Sequence, residues 1–163
     1  EHDHLTGLLN IRGLTLLLEE EIARTKRYKH PFTVAYIDID NFKAINDSKG
    51  HREGDVILCK LSKIITTSFR ESDYIGRIGG DEFVCLLPET KQPDAKVVFD
   101  KLQKNLDSAF CSGDIVVTFS IGVVTFEAAP PNSQAALALV DKVMYRVKKL
   151  NKNDAAFQVY SST

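Results

Sequence analysis

Two apolar runs joined by Gly79-Gly80 constrain this chain more than any other feature. Asp73-Tyr74-Ile75-Gly76-Arg77-Ile78 precedes the pair, and Phe83-Val84-Cys85-Leu86-Leu87 follows it. Short apolar runs around Gly-Gly predict a β-hairpin, because glycine tolerates the positive φ that tight hairpin turns require. The glycines also let a bulky anion approach the backbone. Asp81 and Glu82 fall at the exposed tip, and adjacent exposed carboxylates are natural ligands for a hard cation such as Mg²⁺. An anion site beside Mg²⁺ points to a nucleotide. The plain alternative is a solvated acidic turn, since Gly and Asp are ordinary turn residues.

A length of 163 residues fits one domain with a sizeable core. The net charge of −1 argues against a broad nucleic-acid footprint, which needs a basic excess. No apolar run approaches membrane-spanning length, so no membrane contact is expected. The chain opens Glu1-His2-Asp3-His4, without a secretory signal or an initiator Met. The expectation is a single domain over residues 1–163, excised from a longer protein. Cys59, Cys85 and Cys111 are odd in number and far apart. Cys59 and Cys85 sit in apolar patterns and read as core thiols of a reducing, cytoplasmic compartment. The histidines do not cluster at zinc-ligand spacing.

Ile11 to Tyr28 reads as a helix, with Leu14, Leu18 and Ile22 on one face and Glu20 paired to Arg24. Phe32 to Ile37 is nearly continuous in apolar residues and predicts a buried central strand ending at Asp38-Ile39-Asp40. Asn41 to Asp47 is expected to form a short helix, closed by Ser48-Lys49-Gly50. Asp55 to Phe69 reads as a long helix with Ile57, Leu61, Ile64 and Ile65 inward. After the hairpin and a loop from Pro88 to Pro93, Asp94 is placed to cap a helix running to about Ala109. A strand is expected over Ile115 to Val124. Ser133 is the candidate N-cap of a helix from Gln134 to Leu150, and a short strand is expected around Ala156 to Val159. This order predicts an α/β sandwich whose sheet is mixed, because it contains a hairpin.

Asp38 follows the buried strand and is held rigidly there. If that strand lies beside the hairpin, Asp38 and the Asp81/Glu82 pair face each other across a metal site. Mg²⁺ ions between such acids would stabilise both oxygens of a phosphoryl transfer. A helix N-cap is the other role open to Asp38. Asn46 and Asp55, at opposite ends of a loop, can together read guanine: the carboxylate accepts from the ring N–H and the exocyclic amine, and the amide supplies the complement. Otherwise Asp55 favours a helix dipole from the first turn and Asn46 sits in a turn. His51 is either a turn residue or a pocket wall.

Six ordered stretches carry a family resemblance over essentially the whole chain. Asp3 to Arg12 resembles a D-x-L-T-G-L-x-N-x-R opening. Ile37 to Asp47 resembles D-I-D-x-F-K-x-I-N-D, and Gly50-His51 through Gly54-Asp55 resembles G-H-x-x-G-D. Gly79-Gly80-Asp81-Glu82-Phe83 is the family's name motif. Ser120-Ile121-Gly122 resembles its S-x-G, and Asp141 to Asn153 its closing D-x-A-L-Y-x-A-K-x-x-G-R-N. The chain is similar to GGDEF domains, the diguanylate cyclase family.

The resemblance implies a fold like nucleotidyl cyclases and polymerase palms. It implies condensation of two GTP into cyclic di-GMP and two pyrophosphates, dependent on Mg²⁺ (or Mn²⁺) and on a transient homodimer. Asp38, Asp81 and Glu82 match the family's acids, and the Ile39 carbonyl its backbone metal ligand. Asn46 and Asp55 match the guanine readers, Phe42 and Lys43 residues near the phosphates, and Lys148 a phosphate-binding lysine. Lys152 stands where an Arg is usual; it keeps the charge and loses the bidentate fork. Arg70 and Asp73 form an R-x-x-D whose default reading is a local ion pair. Its place before Gly79 matches the family's inhibitory product site, roughly 20 Å of strand from Gly80 at about 3.3 Å per residue. The rival readings are non-catalytic domains that bind cyclic di-GMP or GTP for regulation.

Overall fold

The computed structural model describes residues 1–110, 113 and 115–162. In chain order the elements are α1 (Ile11–Tyr28), β1 (Phe32–Ile39), α2 (Phe42–Lys49), α3 (His51–Ser68), β2 (Tyr74–Arg77), β3 (Glu82–Pro88), α4 (Gln92–Phe110), β4 (Phe119–Phe126), α5 (Ser133–Leu150) and β5 (Asp154–Tyr160). The strands form one sheet in the order β2-β3-β1-β4-β5. Among the described strands β4 and β5 pair in parallel and the other pairs are antiparallel, so the sheet is mixed as expected.

The apolar run of β1 is buried along its whole length because helices cover both faces of the sheet. Ala35, Ile37 and Ile39 face α2, α3 and α4. Phe32, Val34 and Tyr36 face α1 and α5. This alternation puts Asp38 on the α5 side, at the end of the strand where both neighbours still pair with it.

Several boundaries depart from the expectation. Neither Gly79 nor Gly80 adopts a left-handed backbone, because the connection spans the four residues Ile78 to Asp81 and needs no two-residue turn. The tip acids are partly buried, since β1 lies alongside them. α3 begins at His51, not Asp55: Gly50, at φ 93°, turns the chain directly from α2 into α3. α4 begins at Gln92, so Asp94 lies in its first turn. Asn132, not Ser133, caps α5, its side chain accepting from the Ala135 amide at 2.8 Å. β4 starts at Phe119 because β1 ends opposite it at Ile39. Val117 instead turns back to the Phe110 carbonyl and packs into the core. Arg24 pairs with Glu21 at 3.6 Å, one position from the expected Glu20. Cys85 is a core thiol, whereas Cys59 is half-buried and donates to the Leu5 carbonyl. Cys111 lies outside the described residues. No helix among the described residues is long and apolar enough to cross a membrane.

Candidate functional site

Three strands and one helix bring the acids together. Asp38 lies directly across from Glu82 on β3 and Ser120 on β4. It sits inside β1, so it is not a helix cap. Lys148, reaching down from α5, forms an ion pair with Asp38 Oδ2. The other oxygen, Oδ1, is buried and has no hydrogen-bond partner among the described residues. Burial pushes the Asp38 carboxyl up to about 7; Lys148 opposes that rise, and the negative charge of Asp81 adds to it. Glu82 is likewise raised by burial and by the Asp81 and Asp141 carboxylates, against Lys148. The Tyr36 phenol, buried beside Asp141 and Glu82, is held well above its usual range.

Crowded, half-buried carboxylates with an orphaned oxygen are a costly arrangement for a protein alone. A divalent cation relieves both the repulsion and the missing partner. The donor set is all hard oxygen. No cluster of three His, Cys, Asp or Glu side chains is preassembled for a metal among the described residues. Asp81 acts electrostatically on Asp38, and Glu82 lies across the ladder from it.

The hairpin tip is fixed by main-chain bonds. The Ile39 amide donates to the Asp81 carbonyl at 3.2 Å, and the Ile78 amide to the Glu82 carbonyl at 3.0 Å. Arg77 adds a clamp absent from the sequence reading, donating from Nη2 and Nε to the Gly80 carbonyl at 2.8 and 3.2 Å. Its Nη1 also meets Asp3. The available signal was an arginine two residues before the Gly-Gly and an aspartate opening the first motif. A side chain at Gly80 would meet nothing within 4 Å, and one at Gly79 only Glu82. The loop surface is therefore open to an incoming group.

Asn46 and Asp55 lie on α2 and α3, not at the ends of a loop or in a turn. Gly54 is where α3 meets Asn46. A Cβ there would fall 1.9 Å from Asn46 Oδ1 and 3.2 Å from the Phe42 ring, so only glycine lets α2 pack this closely. Asn46 Oδ1 is buried and has no hydrogen-bond partner among the described residues. Asp55, on the next position of α3, is exposed. The orphaned Asn46 oxygen and the exposed Asp55 carboxylate, one position past Gly54, are both acceptors of the kind that match the donors of a base edge. His51, the first residue of α3, is exposed at its entrance.

The first turn of α2 carries buried Phe42 and exposed Lys43. Asn41, at its N-cap position, makes no side-chain cap bond, and uncapped amides favour an anion. Lys152 reaches this end of α2, its Nζ donating to Asn41 Oδ1 at 2.8 Å. Lys43 is exposed on α2, Lys148 reaches Asp38 from α5, and Lys152 reaches Asn41 from the turn that follows α5. Gly122 sets the height of α5: a Cβ there would lie 2.3 Å from the Met144 amide nitrogen, so helix backbone rests directly on β4.

Arg70 and Asp73 sit at the far end of β2. Arg70 Nη2 lies 3.0 Å from Asp73 Oδ1, and the same nitrogen donates to the Pro88 carbonyl at 3.1 Å and to Thr90 Oγ1 at 3.0 Å. The Asp73 side chain is 2% exposed and that of Arg70 59%. The local ion pair is therefore real, and its guanidinium remains accessible.

A family model described as diguanylate cyclase, GGDEF domain, matches residues 1–154. The chain belongs to the GGDEF family. It is 36% identical over 155 residues to the diguanylate cyclase DosC of Escherichia coli K12, covering 93% of this chain and 34% of that protein. The chain thus spans about a third of that relative's length. Among solved structures, Pseudomonas aeruginosa diguanylate cyclase SiaD, in complex with its activator SiaC, superposes with a TM-score of 0.89 at 32% identity. That match covers 96% of this chain and 61% of SiaD. The GGDEF domain of TpbB from the same organism gives 0.87 at 30% identity, over 96% of this chain and 94% of that one. The α/β sandwich read from the sequence is the fold of these GGDEF domains.

Proposed function

We propose that this GGDEF domain is a diguanylate cyclase that condenses two GTP into cyclic di-GMP with release of two pyrophosphates. The observation that carries this reading is the pair of orphaned buried oxygens, Asp38 Oδ1 and Asn46 Oδ1. The first lies among crowded acids near an open Gly79-Gly80 loop, and the second against Gly54, one position before the exposed Asp55 carboxylate suited to guanine.

Asn46 and Asp55 bind the base. Lys43, Lys148 and Lys152 hold the polyphosphate against the uncapped end of α2. Asp38, Asp81, Glu82 and the Ile39 carbonyl would hold Mg²⁺ or Mn²⁺, which when bound neutralises charge on the transferring phosphoryl group and the oxygens around it. The 3′-hydroxyl of each GTP attacks the α-phosphorus of the other. Each attack forms one phosphodiester, breaks one phosphoanhydride and releases one proton and one pyrophosphate. Positioning supplies much of the acceleration in such a transfer. The product is two-fold symmetric, so two domains meet face to face, each contributing one GTP. Arg70 and Asp73 bind product and slow the enzyme. The intact hairpin and its clamp favour catalysis over a purely receptive role.

Turnover of GTP with Mg²⁺, read as cyclic di-GMP and pyrophosphate, tests the reading. Folded Asp81→Ala is expected to lose that turnover. Wild-type product formation by this variant, or none by the unaltered chain at any protein concentration, would overturn it.

A further inference from the structure

Asp40 follows Asp38 by two positions, yet its carboxylate does something different. It is 2% exposed and fully engaged. Oδ1 accepts from Ser120 Oγ at 2.6 Å; Oδ2 accepts from Thr118 Oγ1 at 2.8 Å and from the Asn153 amide at 3.0 Å. The Asp40 amide also donates to the Thr118 carbonyl at 2.9 Å. One side chain thereby joins the end of β1 to the start of β4 and to the turn between α5 and β5.

That turn is conformationally unusual. Lys152 and Asn153 are consecutive non-glycine residues with left-handed backbones, at φ 51° and 44°. Asn tolerates this region, but Lys does not favour it. Such a turn persists only where its surroundings over-determine it. The bond from the Asn153 amide to Asp40 is one such constraint, and the Lys152 amide's bond to the Val147 carbonyl at 3.0 Å is another. The outcome is a Lys152 side chain laid over Asn41 at the uncapped end of α2.

We infer that Asp40 is a positioning residue for substrate: through the Asn153 amide it sets the turn that aims Lys152 at the polyphosphate. The inference rests on the functional reading above. Asp40 does not touch the nucleotide; it acts through Lys152. Its role is as a hydrogen-bond acceptor. An asparagine can present its amide oxygen to the Asn153 N–H and its NH₂ to Ser120 Oγ, which can accept.

The test is a set of steady-state measurements of GTP turnover. Asp40→Ala is expected to raise KM for GTP about tenfold, the scale of one lost charge-assisted contact, with kcat held within about twofold. Asp40→Asn should bring KM back to within about twofold of the unaltered chain. Adding Asp40→Ala to Lys152→Gln should raise KM no further, because the two act in series. If Asp40→Ala does not fold, Asn153→Val takes its place. It disfavours the left-handed backbone at an exposed position, and the same KM rise, again absent beside Lys152→Gln, is expected. A KM unchanged in the folded variants, or a rise that adds in full to that of Lys152→Gln, overturns the inference and leaves the cyclase reading standing. An unaltered chain that neither binds nor turns over GTP overturns both.

Discussion

Asp3 and Arg77 lie 74 positions apart and meet as an ion pair, with Arg77 Nη1 3.2 Å from Asp3 Oδ1 and 3.3 Å from Oδ2. Both side chains are largely shielded, at 20% and 17% exposure. Asp3 is itself fixed by the Thr6 amide and hydroxyl, at 2.9 and 2.7 Å. The rest of the Arg77 guanidinium holds the Gly80 carbonyl, so the N-terminal turn and the hairpin tip share one side chain. Asp3→Ala should leave Arg77 with the Gly80 carbonyl alone. The expected cost is about 1–2 kcal/mol of stability, with faster amide exchange at residues 79–82. Turnover should fall although no proposed substrate contact is altered. Unchanged exchange at the tip would show that the clamp does not restrain it.

Two glycines separate crowding by the protein from crowding by substrate. Gly122→Ala drives a methyl group into the Met144 backbone. A cost of about 1–3 kcal/mol is expected in chemical denaturation, with lost activity as α5 lifts and carries Lys148 off Asp38. Gly80→Ala meets nothing in the protein and strains no dihedral. It should fold with unchanged stability and yet bind GTP more weakly, if the bare backbone there is a phosphate seat. Equal stability losses in the two variants would contradict this account.

These cases show what the sequence can express. β1 was legible because burial on both faces demands an unbroken apolar run, and the hairpin because its glycines punctuate two such runs. The start of α3 was not legible: His51-Arg52-Glu53-Gly54 carries no apolar period, and Gly54 looks like a breaker. Its role as the seat of Asn46 exists only once α2 and α3 pack. In the sequence Asp40 is only the second acid of the Asp38-Ile39-Asp40 strand end. Its function as a junction depends on Ser120, 80 positions later, pairing alongside. The clamp from Asp3 to Arg77 is of the same kind, a contact between ordinary polar residues that only the completed sheet brings together. Residue type and spacing identified the groups expected to meet a ligand, and missed those that hold other residues in place.

Asp55 is the residue proposed to choose the base. Its exposed carboxylate is an acceptor, and guanine offers two donors where adenine has none in that pattern. A lost polar partner costs about 1–3 kcal/mol. Asp55→Ser should therefore narrow the preference for GTP over ATP by on the order of tenfold. A competition assay with mixed nucleotides reads the ratio directly, and an unchanged ratio would remove Asp55 from the base pocket.

Glu21 ties stability to pH far from the site. It is buried on α1, 3.6 Å from Arg24. Burial raises its carboxyl above 4.5; Arg24 opposes the rise, Glu89 adds to it by repulsion, and His30 opposes it. A carboxyl raised in the folded state binds its proton more tightly there than in the unfolded chain. Its contribution is fully present in acid, below the unfolded value, and is lost as pH rises through the folded value. Glu21→Gln removes that loss. Its urea midpoint should exceed that of the unaltered chain at neutral pH, and the gap should close in acid. A gap that widens as pH falls would reverse the assignment.

Arg70 is the remaining test, because its present bonds compete with its proposed one. The guanidinium spans Asp73, the Pro88 carbonyl and Thr90, while keeping an exposed face. A phosphate or guanine edge of cyclic di-GMP could add to that face, bidentate to the planar fork. Arg70→Ala should then abolish product binding by calorimetry and leave the enzyme active at product concentrations that stop the unaltered chain. Arg70→Lys is the sharper variant. It keeps the charge and loses the fork, so binding should weaken by about tenfold or more if geometry matters. β2 is a short strand that would separate this site from the hairpin acids, so initial rates without product should change little. Inhibition that persists in both variants at the same product concentration would leave Arg70 and Asp73 as a structural pair bracing the turn between β3 and α4.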